Sequence, residues 1–318
     1  MADTKRWIAR LAVALLAVLL GIAPAAAQKR IALTFDDVPR NAGGFMTPDQ
    51  RTEALIAGLK RAGVKQAAFF LNPGNIGHDD GVGGARRIAA YVKAGHVIAN
   101  HSWSHPHLSE VTTAAYLANI DRATAWLKGR RGYRPWFRFP YLDEGGSDKA
   151  KRDAVRAGLA ARHLRSGYVT VDGSDWNMDA LATAAIQAGK PVDRQALRDL
   201  YVETMVQAAD FYDGLAVKTI GRSPAHVILL HETDLAALYI ADLVAGLKAD
   251  GWEIITADQA FADPISTANP DVPSANGTRT ELMAWEKGLP APRWYERDDL
   301  KVANPLFARR VLHETAIP

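Results

Sequence analysis

Short apolar runs of strand type alternate with longer amphipathic runs along this chain of 318 residues, and this alternation limits the possible folds more than any other feature. Strand–helix alternation places parallel strands beside crossover helices, either in an open doubly wound sheet or in a (β/α) barrel. The sequence therefore predicts an α/β fold. We expect strands near Arg30–Phe35, Gln66–Leu71, His96–Asn100, Trp136–Phe139, Tyr168–Val171, His226–Leu230 and Trp252–Thr256.

Helices are predicted between these strands. Thr47 followed by Pro48 has the pattern of an N-cap with proline at the first helical position, and Thr112 opens a second amphipathic run. The segment 177–224 is long for a single connection, so we expect two helices in it, one of them over Arg194–Tyr212.

The first 27 residues have the pattern of a secretory signal peptide. Three basic residues precede an apolar run from Leu11 to Ala23, and alanines at 25–27 resemble a cleavage site. We expect export to the periplasm or the medium, with no stable membrane insertion after cleavage. A retained N-terminal anchor is the alternative, although the apolar run is short for a membrane span.

The remainder divides by composition into a main domain, residues 28–260, and a C-terminal extension, residues 261–318. After Phe261, regular structure is broken by prolines at positions 264, 270, 273, 290 and 292. Because Trp285, Trp294 and Tyr295 are large apolar residues, we expect this extension to pack onto the main domain.

Cysteine is absent, so disulfides and thiolate metal sites are excluded and any metal must be held by His, Asp or Glu. The formal net charge is +3. Removal of residues 1–27 takes away three basic residues and one acidic residue, which leaves about +1. A nearly neutral chain without a Lys/Arg run does not predict a nucleic-acid partner.

Titratable side chains follow the predicted strands at the points where the strands end. In parallel α/β architectures these C-terminal ends form one mouth, where reacting groups gather. Taken singly, each of these residues also fits an ordinary structural role. Together they predict one polar site, and they are Asp36, Asp37, His101, His105, Arg138, Asp172, Asp175 and His231.

His101 and His105 are four residues apart, a spacing that lets both rings face one metal ion on a helical turn. An oxygen of Asp37 would complete a set of two imidazoles and one carboxylate with open positions for water and substrate. This set suits zinc first, then cobalt or another divalent transition metal. We expect His107 to lie outside the metal ligands.

The adjacent carboxylates of Asp36 and Asp37 repel each other unless one faces a cation. A solvated turn before Pro39 is the simpler interpretation of the pair. If a metal is bound, Asp37 serves as a ligand while Asp36 accepts a proton from the attacking water. His231 follows a buried apolar run, where a general acid could protonate the amine that leaves when an amide is hydrolysed.

Five ordered segments of the chain resemble the motifs of the polysaccharide deacetylase family (carbohydrate esterase family four, the NodB homology domain). Each motif is modest alone, but five in the family's order over residues 31–256 are specific. The segments are Thr34–Asp37, His101–Pro106, Arg138–Tyr141, Asp172–Trp176 and Leu229–His231.

This resemblance implies a distorted (β/α)7 barrel with its catalytic site at the C-terminal ends of the strands. It implies Asp36 as general base and His231 as general acid. It also implies a divalent metal, zinc above all, held by Asp37, His101 and His105.

The remaining roles come from the resemblance as well. Arg138 would tune Asp36, and Asp175 would orient and charge His231. The backbone N–H of Tyr141 would stabilise the oxyanion. The substrate-binding residues implied are Pro140, Tyr141, Trp176 and Leu229.

Two positions depart from the family's pattern: Leu142 stands where glycine is common, and Glu232 stands where aspartate is frequent. The expected activity is removal of N-acetyl groups from N-acetylglucosamine in peptidoglycan, a chitin-like polymer or an exopolysaccharide. An O-acetyl esterase of the xylan type with the same site is one alternative. A catalytically inactive carbohydrate-binding protein is the other, and it would be expected to lack a ligand or the base.

Overall fold

The structure is a computed structural model that describes residues 28–314, and its main feature is a parallel sheet that curls into a barrel. The strands are β1 (Arg30–Val38), β2 (Ala68–Leu71), β3 (Val97–Asn100), β4 (Tyr133–Phe137), β5 (Asp143–Gly146), β6 (Arg165–Ser166), β7 (Ala225–His231), β8 (Glu253–Ile254) and β9 (Ala275–Asn276). Seven of them form the parallel sheet in the order β6-β4-β3-β2-β1-β7, with β8 paired to the start of β1. Strands β5 and β9 form a separate antiparallel pair.

The chain between β6 and Val171 brings the two edges of the sheet together. On one side β6 pairs with β4, and the N–H of Gly167 donates to the carbonyl of Phe137 at 2.6 Å. On the other side Val171 forms a bridge with Ile228 of β7. The seven parallel strands therefore enclose a barrel, which confirms the predicted α/β barrel.

Helices cross between the parallel strands and cover the outside of the barrel. They are α1 (Pro48–Arg61), α2 (Gly84–Lys93), α3 (Thr113–Leu127), α4 (Lys149–Ala161), α5 (Asp175–Gln187), α6 (Arg194–Ile220), α7 (Asp234–Ala249), α8 (Ala257–Ala260), α9 (Arg279–Glu286) and α10 (Leu300–Val311). Helix α1 begins with a capping box between Thr47 and Gln50, and Thr112 caps α3. These caps and the two helices between 175 and 220 agree with the sequence pattern.

Side chains of β1 alternate between the two faces of the sheet, as the twofold period of a strand requires. Ile31, Leu33 and Phe35 belong to the core between the sheet and the helices. Ala32 belongs to a second core that fills the barrel. Thr34 and Asp36 lie on the same face of β1 as Ala32, so the strand places the carboxylate of Asp36 at the mouth of the barrel.

Phe261 closes the interior of the barrel. Its ring centroid lies 4.3 Å from that of Trp136, 5.2 Å from that of Tyr168 and 6.3 Å from that of Phe70, and the residue is 1% exposed. Aromatic contacts at these separations add to the stabilisation from burial. The residue that opens the C-terminal extension is thus part of the barrel core.

Residues 262–314 of the extension continue along the outside of the molecule. Helices α9 and α10 pack on α6. Tyr295 is 5% exposed, and its hydroxyl donates to Gln207 Oε1 at 2.8 Å. These contacts agree with the packing expected for the tail.

The predicted strand Tyr168–Val171 is wrong in its bounds, because the regular strand is β6 and only Val171 adds a bridge. The reason is a side-chain contact. The carbonyls of Gly167 and Tyr168 accept hydrogen bonds from the guanidinium of Arg138 at 2.7 and 3.3 Å. Because these carbonyls accept from a buried arginine, they are not available for hydrogen bonds to a neighbouring strand.

The predicted signal peptide, residues 1–27, lies outside the described residues. Within residues 28–314, no helix combines the length and the apolar character that a membrane span requires.

Replacement of Phe261 by alanine is expected to destabilise the protein by about 3–5 kcal/mol, because it removes a large side chain from a filled interior. The free energy of unfolding from a urea titration measures this. Val82→Ala is the control, since Val82 is 67% exposed and its loss is expected to change the free energy by about 0.5 kcal/mol or less. Equal small effects of both substitutions would contradict the placement of Phe261.

Candidate active site

The two carboxylates at the end of β1 point to different partners. Asp36 is 2% exposed and lies directly opposite His231 in the register of β1 with β7. Its Oδ1 accepts a hydrogen bond from Arg138 Nη1 at 2.6 Å. Asp37 has left-handed backbone, with φ of 65°, and its Oδ1 lies 3.0 Å from His105 Nε2.

Arg138 is 1% exposed and is held from several sides. Besides Asp36, it donates to Thr34 Oγ1 at 2.8 Å and to the carbonyls of Gly167 and Tyr168. Burial lowers the pKa of Arg138, and the charge and hydrogen bond of Asp36 oppose that shift. A buried guanidinium with this many acceptors fixes the position of the carboxylate it pairs with.

Asp37, His101 and His105 converge at one point of the mouth. Their nearest ligand atoms all lie within 4.8 Å of one another. Asp37 Oδ1 is 3.0 Å from His105 Nε2 and 3.5 Å from His101 Nε2, and the two Nε2 atoms are 3.1 Å apart. Nδ1 of His101 lies 2.9 Å from the carbonyl of Arg138, a contact that leaves Nε2 for a ligand. The arrangement offers two imidazole nitrogens and one carboxylate oxygen to a metal ion.

Asp37 Oδ1 is buried and has no hydrogen-bond partner among residues 28–314, which fits an atom that serves a cation. Burial acts to raise the pKa of Asp37, but the nearby rings of His101, His105 and His231 outweigh it and hold that pKa well below its usual range. Burial also lowers the pKa of His105, against the opposing effect of Asp37. A charged carboxylate and a neutral imidazole are the forms that bind metal.

The segment 101–105 is not the helical turn that the spacing suggested. It is an irregular loop in which Ser102 and His105 have φ of 71° and 57°. The N–H of Ser102 donates to Asn100 Oδ1 at 2.7 Å, and the N–H of His105 donates to Ser102 Oγ at 3.0 Å. These local bonds replace helical ones and still bring the two rings together.

Two buried asparagines that the sequence did not single out hold this loop. Asn72 follows β2 and donates to the carbonyl of His101 at 2.5 Å. Asn100 donates to the carbonyl of Ile120 at 3.1 Å and to Thr124 Oγ1 at 2.9 Å. Their position at strand ends is the signal that could have identified them.

His231 and Asp175 form a buried pair across the mouth. His231 Nδ1 lies 2.7 Å from Asp175 Oδ1, and the N–H of His231 donates to Asp175 Oδ2 at 2.8 Å. Burial acts to lower the pKa of His231, but the charge and hydrogen bond of Asp175, with a further contribution from Asp37, raise it to about 9. The pairing with Asp175 therefore favours the protonated form of the ring.

A cavity of 410 Å³ lies over these residues. Tyr141, Trp176 and Leu229 line it, and the first two are 56% and 41% exposed, whereas Pro140 is buried behind Tyr141. His107 lies outside the three candidate ligands, since its ring stacks on that of Tyr141 with centroids 3.5 Å apart. The three candidate ligands, Asp36 and His231 thus share one cavity with the exposed aromatic residues.

A second cavity, of 530 Å³, adjoins the first. Asp37, Arg40, His105 and Trp176 line both. The candidate ligands therefore sit between two open spaces, an arrangement that can hold an extended molecule on either side of the reacting groups.

Unusual backbone conformations concentrate around this mouth. Among the described residues, nine non-glycine residues have positive φ, and six of them lie in the loops that build the site. Those six are Asp37, Ser102, His105, Tyr141, Leu142 and Ser174. Left-handed backbone at residues other than glycine costs energy, so this concentration indicates loops whose conformation serves the site.

Comparison with known proteins matches part of the chain to a family model. Residues 23–161 match the family model described as polysaccharide deacetylase. The chain is 25% identical over 240 residues to the peptidoglycan-N-acetylglucosamine deacetylase of Listeria monocytogenes, which covers 75% of this chain and 40% of that protein. It is 37% identical over 115 residues to the peptidoglycan-N-acetylglucosamine deacetylase of Bacillus cereus, a match that covers 36% of this chain and 37% of that protein. The match thus spans about 40% of the length of the Listeria relative.

Among solved structures, the chain is similar to a CE4 family pseudoenzyme from Bacillus anthracis. The TM-score is 0.52 at 16% identity, covering 74% of this chain and 66% of that one. This similarity supports the fold alone, since at this level of identity proteins of one fold differ in function.

Replacement of His101 by alanine is expected to reduce the zinc retained after loading and desalting from one equivalent to a small fraction, because a ligand nitrogen is lost. Elemental analysis measures the bound metal. His107→Ala is the matched control, since its ring stacks on Tyr141 and lies outside the triad. Full retention of zinc by the His101 variant would contradict the ligand set.

Replacement of Asp175 by asparagine is expected to lower the pKa of His231 from its value of about 9, because the variant keeps an acceptor but loses the negative charge. The imidazole then loses its proton at a lower pH than in the unmodified protein. Nuclear magnetic resonance titration of the ring measures this, with Asp121→Asn at an exposed position as the control. An unchanged titration would show that Asp175 does not hold the proton on His231.

Proposed function

This chain belongs to the polysaccharide deacetylase family, and from that membership we propose that it removes N-acetyl groups from an acetylated polysaccharide with the help of a bound divalent metal. In this reaction water attacks the acetyl carbonyl, the carbon–nitrogen bond breaks, and acetate and a free amine on the sugar are released. The relatives are named as peptidoglycan-N-acetylglucosamine deacetylases, so N-acetylglucosamine is the sugar proposed here.

The observation that carries the proposal is the convergence of five chain segments on one mouth. Candidate metal ligands, a carboxylate paired with arginine and an imidazole paired with carboxylate lie together there. Each group alone has a structural explanation. An inactive binding protein has no use for all three in one cavity.

Asp37, His101 and His105 would hold the metal, and the mixed nitrogen and oxygen ligands favour zinc. A divalent cation held there supplies Lewis-acid chemistry, which makes a water molecule more acidic and polarises an acyl carbonyl. Arg40 Nη1 donates to Asp37 Oδ2 at 2.8 Å, which leaves Oδ1 directed at the two imidazoles.

Asp36 is the proposed general base. Its Oδ1 is occupied by Arg138, while its Oδ2 lies 3.5 Å from His101 Nε2 and faces the metal-binding point. A water molecule near that point would have a carboxylate oxygen within reach for its proton. The hydrogen bond from Arg138 keeps Asp36 from turning away.

His231 is the proposed general acid. An amine leaving group needs a proton as the carbon–nitrogen bond breaks, and the imidazolium of His231 can supply it across the mouth from Asp36. Asp175 balances the charge of the ring and fixes its orientation. Acid and base are thus opposite each other on neighbouring strands.

The remaining substrate contacts are also proposals. The backbone N–H of Tyr141 is the proposed donor to the developing oxyanion. Leu229 and Trp176 line the cavity beside His231 and would enclose the acetyl methyl group. Pro140, which is buried and directly precedes Tyr141, would fix the backbone of Tyr141.

Two further assignments go with this function. We propose that residues 1–27 direct export, because the substrates named for the relatives are cell-wall polymers. We also propose that residues 28–260 form the deacetylase domain and that residues 261–318 extend it.

The test is acetate release from a panel of acetylated glycans, with and without a chelator. Release from N-acetylglucosamine polymers that stops with chelator and returns with zinc is the expected result. Release only from O-acetylated xylan would favour the esterase alternative, and release from none would contradict the proposal.

In the same assay, replacement of Asp36 by asparagine is expected to lower kcat by about 10²- to 10⁴-fold while zinc content is retained, because a general base is lost and no ligand is removed. Asp121→Asn is the control of matched chemistry at an exposed position. Undiminished acetate release by the Asp36 variant would remove it from the role of base.

A further inference from the structure

The C-terminal extension supplies one wall of the cavity that holds the reacting groups. Gly277, Glu281, Trp294 and Asp298 all line the 410 Å³ cavity together with Asp36 and His231. None of these four belongs to the five segments that carry the family resemblance. The wall is therefore a feature of this chain beyond the catalytic residues.

Trp294 is exposed on this wall although its neighbours are fixed. It is 43% exposed, while the adjacent Tyr295 is 5% exposed and bonded to Gln207. Exposed apolar surface that is gathered around one cavity marks a binding site more often than single exposed residues do. The anchoring of Tyr295 holds the indole of Trp294 at the cavity.

Exposed aromatic residues are confined to this cavity. Among the described residues, eight large apolar side chains are strongly exposed, and three of these are aromatic: Tyr141, Trp176 and Trp294. All three line the same cavity. Flat apolar rings around an open cavity with hydrogen-bonding groups form a surface on which a sugar ring can lie.

The polar groups beside Trp294 suit hydroxyl groups. Asp298 accepts hydrogen bonds from Ser174 Oγ at 3.0 Å and from the hydroxyl of Tyr212 at 3.1 Å, which fix it in place. Burial, with the charge of Asp172 next in effect, raises the pKa of Asp298 to about 9, and burial raises that of Glu281 to about 7. Carboxyl groups in this state both donate to and accept from sugar hydroxyls.

The wall offers an acidic sugar no ion-pair partner. Glu281 and Asp298 face the cavity from the extension, and the described part of the extension contributes no Lys or Arg side chain to the lining. A sugar carboxylate placed against this wall would lose its solvation without gaining a charge partner there.

We propose that Trp294 is the apolar floor of a subsite, built by the C-terminal extension, that binds an uncharged sugar unit neighbouring the one that loses its acetyl group. The inference rests on the proposed function, because it presupposes a glycan substrate whose acetylated unit lies at the reacting groups. It selects a polymer of neutral amino sugars over one whose neighbouring unit carries a carboxylate.

The test compares acetate release from β-1,4-linked N-acetylglucosamine oligomers of two to five units. In the unmodified protein KM is expected to fall with length. In Trp294→Ala, KM for the longer oligomers is expected to rise about tenfold, with a much smaller change in kcat, because a stacking contact is lost. Trp294→Phe is expected to keep most of the length dependence, since it keeps a flat apolar ring.

Val302→Ala is the control, because Val302 is 41% exposed in the same extension and does not line the cavity. An unchanged KM for every length in Trp294→Ala would overturn the subsite. So would an equal loss of kcat on all lengths with KM unchanged, which would indicate disturbance of the reacting groups.

Binding without turnover separates this inference from the proposed function. Calorimetric titration of Asp36→Asn with the tetramer is expected to show binding that weakens about tenfold when Trp294→Ala is added. Equal binding with and without Trp294 contradicts the subsite even if acetate is released. Absence of acetate release by the unmodified protein, with tryptophan-dependent binding retained, would reject the deacetylase proposal and keep the subsite.

An oligomer whose neighbouring unit bears a carboxylate is expected to bind more weakly than the neutral tetramer, and equal or tighter binding would overturn the selectivity for uncharged sugars.

Discussion

Two adjacent aspartates at the end of a buried strand must be kept from repelling each other, and the rest of the site depends on how this is done. Asp36 continues the strand into the barrel and pairs with Arg138 at 2.6 Å. Asp37 turns through left-handed backbone and faces the rings of His101 and His105. Charges a few ångströms apart in a poorly solvated site interact strongly, so each carboxylate needs its own cation. Arg138 pairs with Asp36 and Arg40 pairs with Oδ2 of Asp37, so Oδ1 of Asp37 is the oxygen left for a metal.

The barrel makes this separation possible because it brings distant segments to one edge. The register of β1 with β7 sets Asp36 opposite His231, although the two residues are 195 positions apart in the sequence. The loops that follow the strands then depart from regular geometry, with Ser102, His105 and Tyr141 all in left-handed backbone. Asn72, which donates to the carbonyl of His101, and Asn100, which accepts from the N–H of Ser102, hold one of these loops in place. A rigid frame and irregular loops together place the groups.

Much of this arrangement could be predicted from the sequence, since strand ends are visible as apolar runs followed by charge. Asp36, Asp37, His101 and His231 were expected at one mouth for that reason, and they line one cavity. Thr47 and Thr112 marked helix starts through local capping chemistry. The helical turn at His101–His105 was wrong because its loop is set by Asn100, a contact that spacing alone does not reveal. The predicted strand at Tyr168 was misplaced because the carbonyl of Tyr168 accepts a hydrogen bond from Arg138, thirty residues away in the sequence. Trp294 could not be placed at the cavity because only the packing of α9 and α10 brings it there.

The most direct test of the central claim is a crystal structure of the zinc-loaded protein with anomalous scattering recorded at the zinc absorption edge. A single strong peak is predicted within about 2.0–2.2 Å of one Asp37 oxygen and of Nε2 of both His101 and His105. A peak at another place, or an ordered triad with no peak at full zinc loading, would contradict the claim that these three residues hold one metal ion.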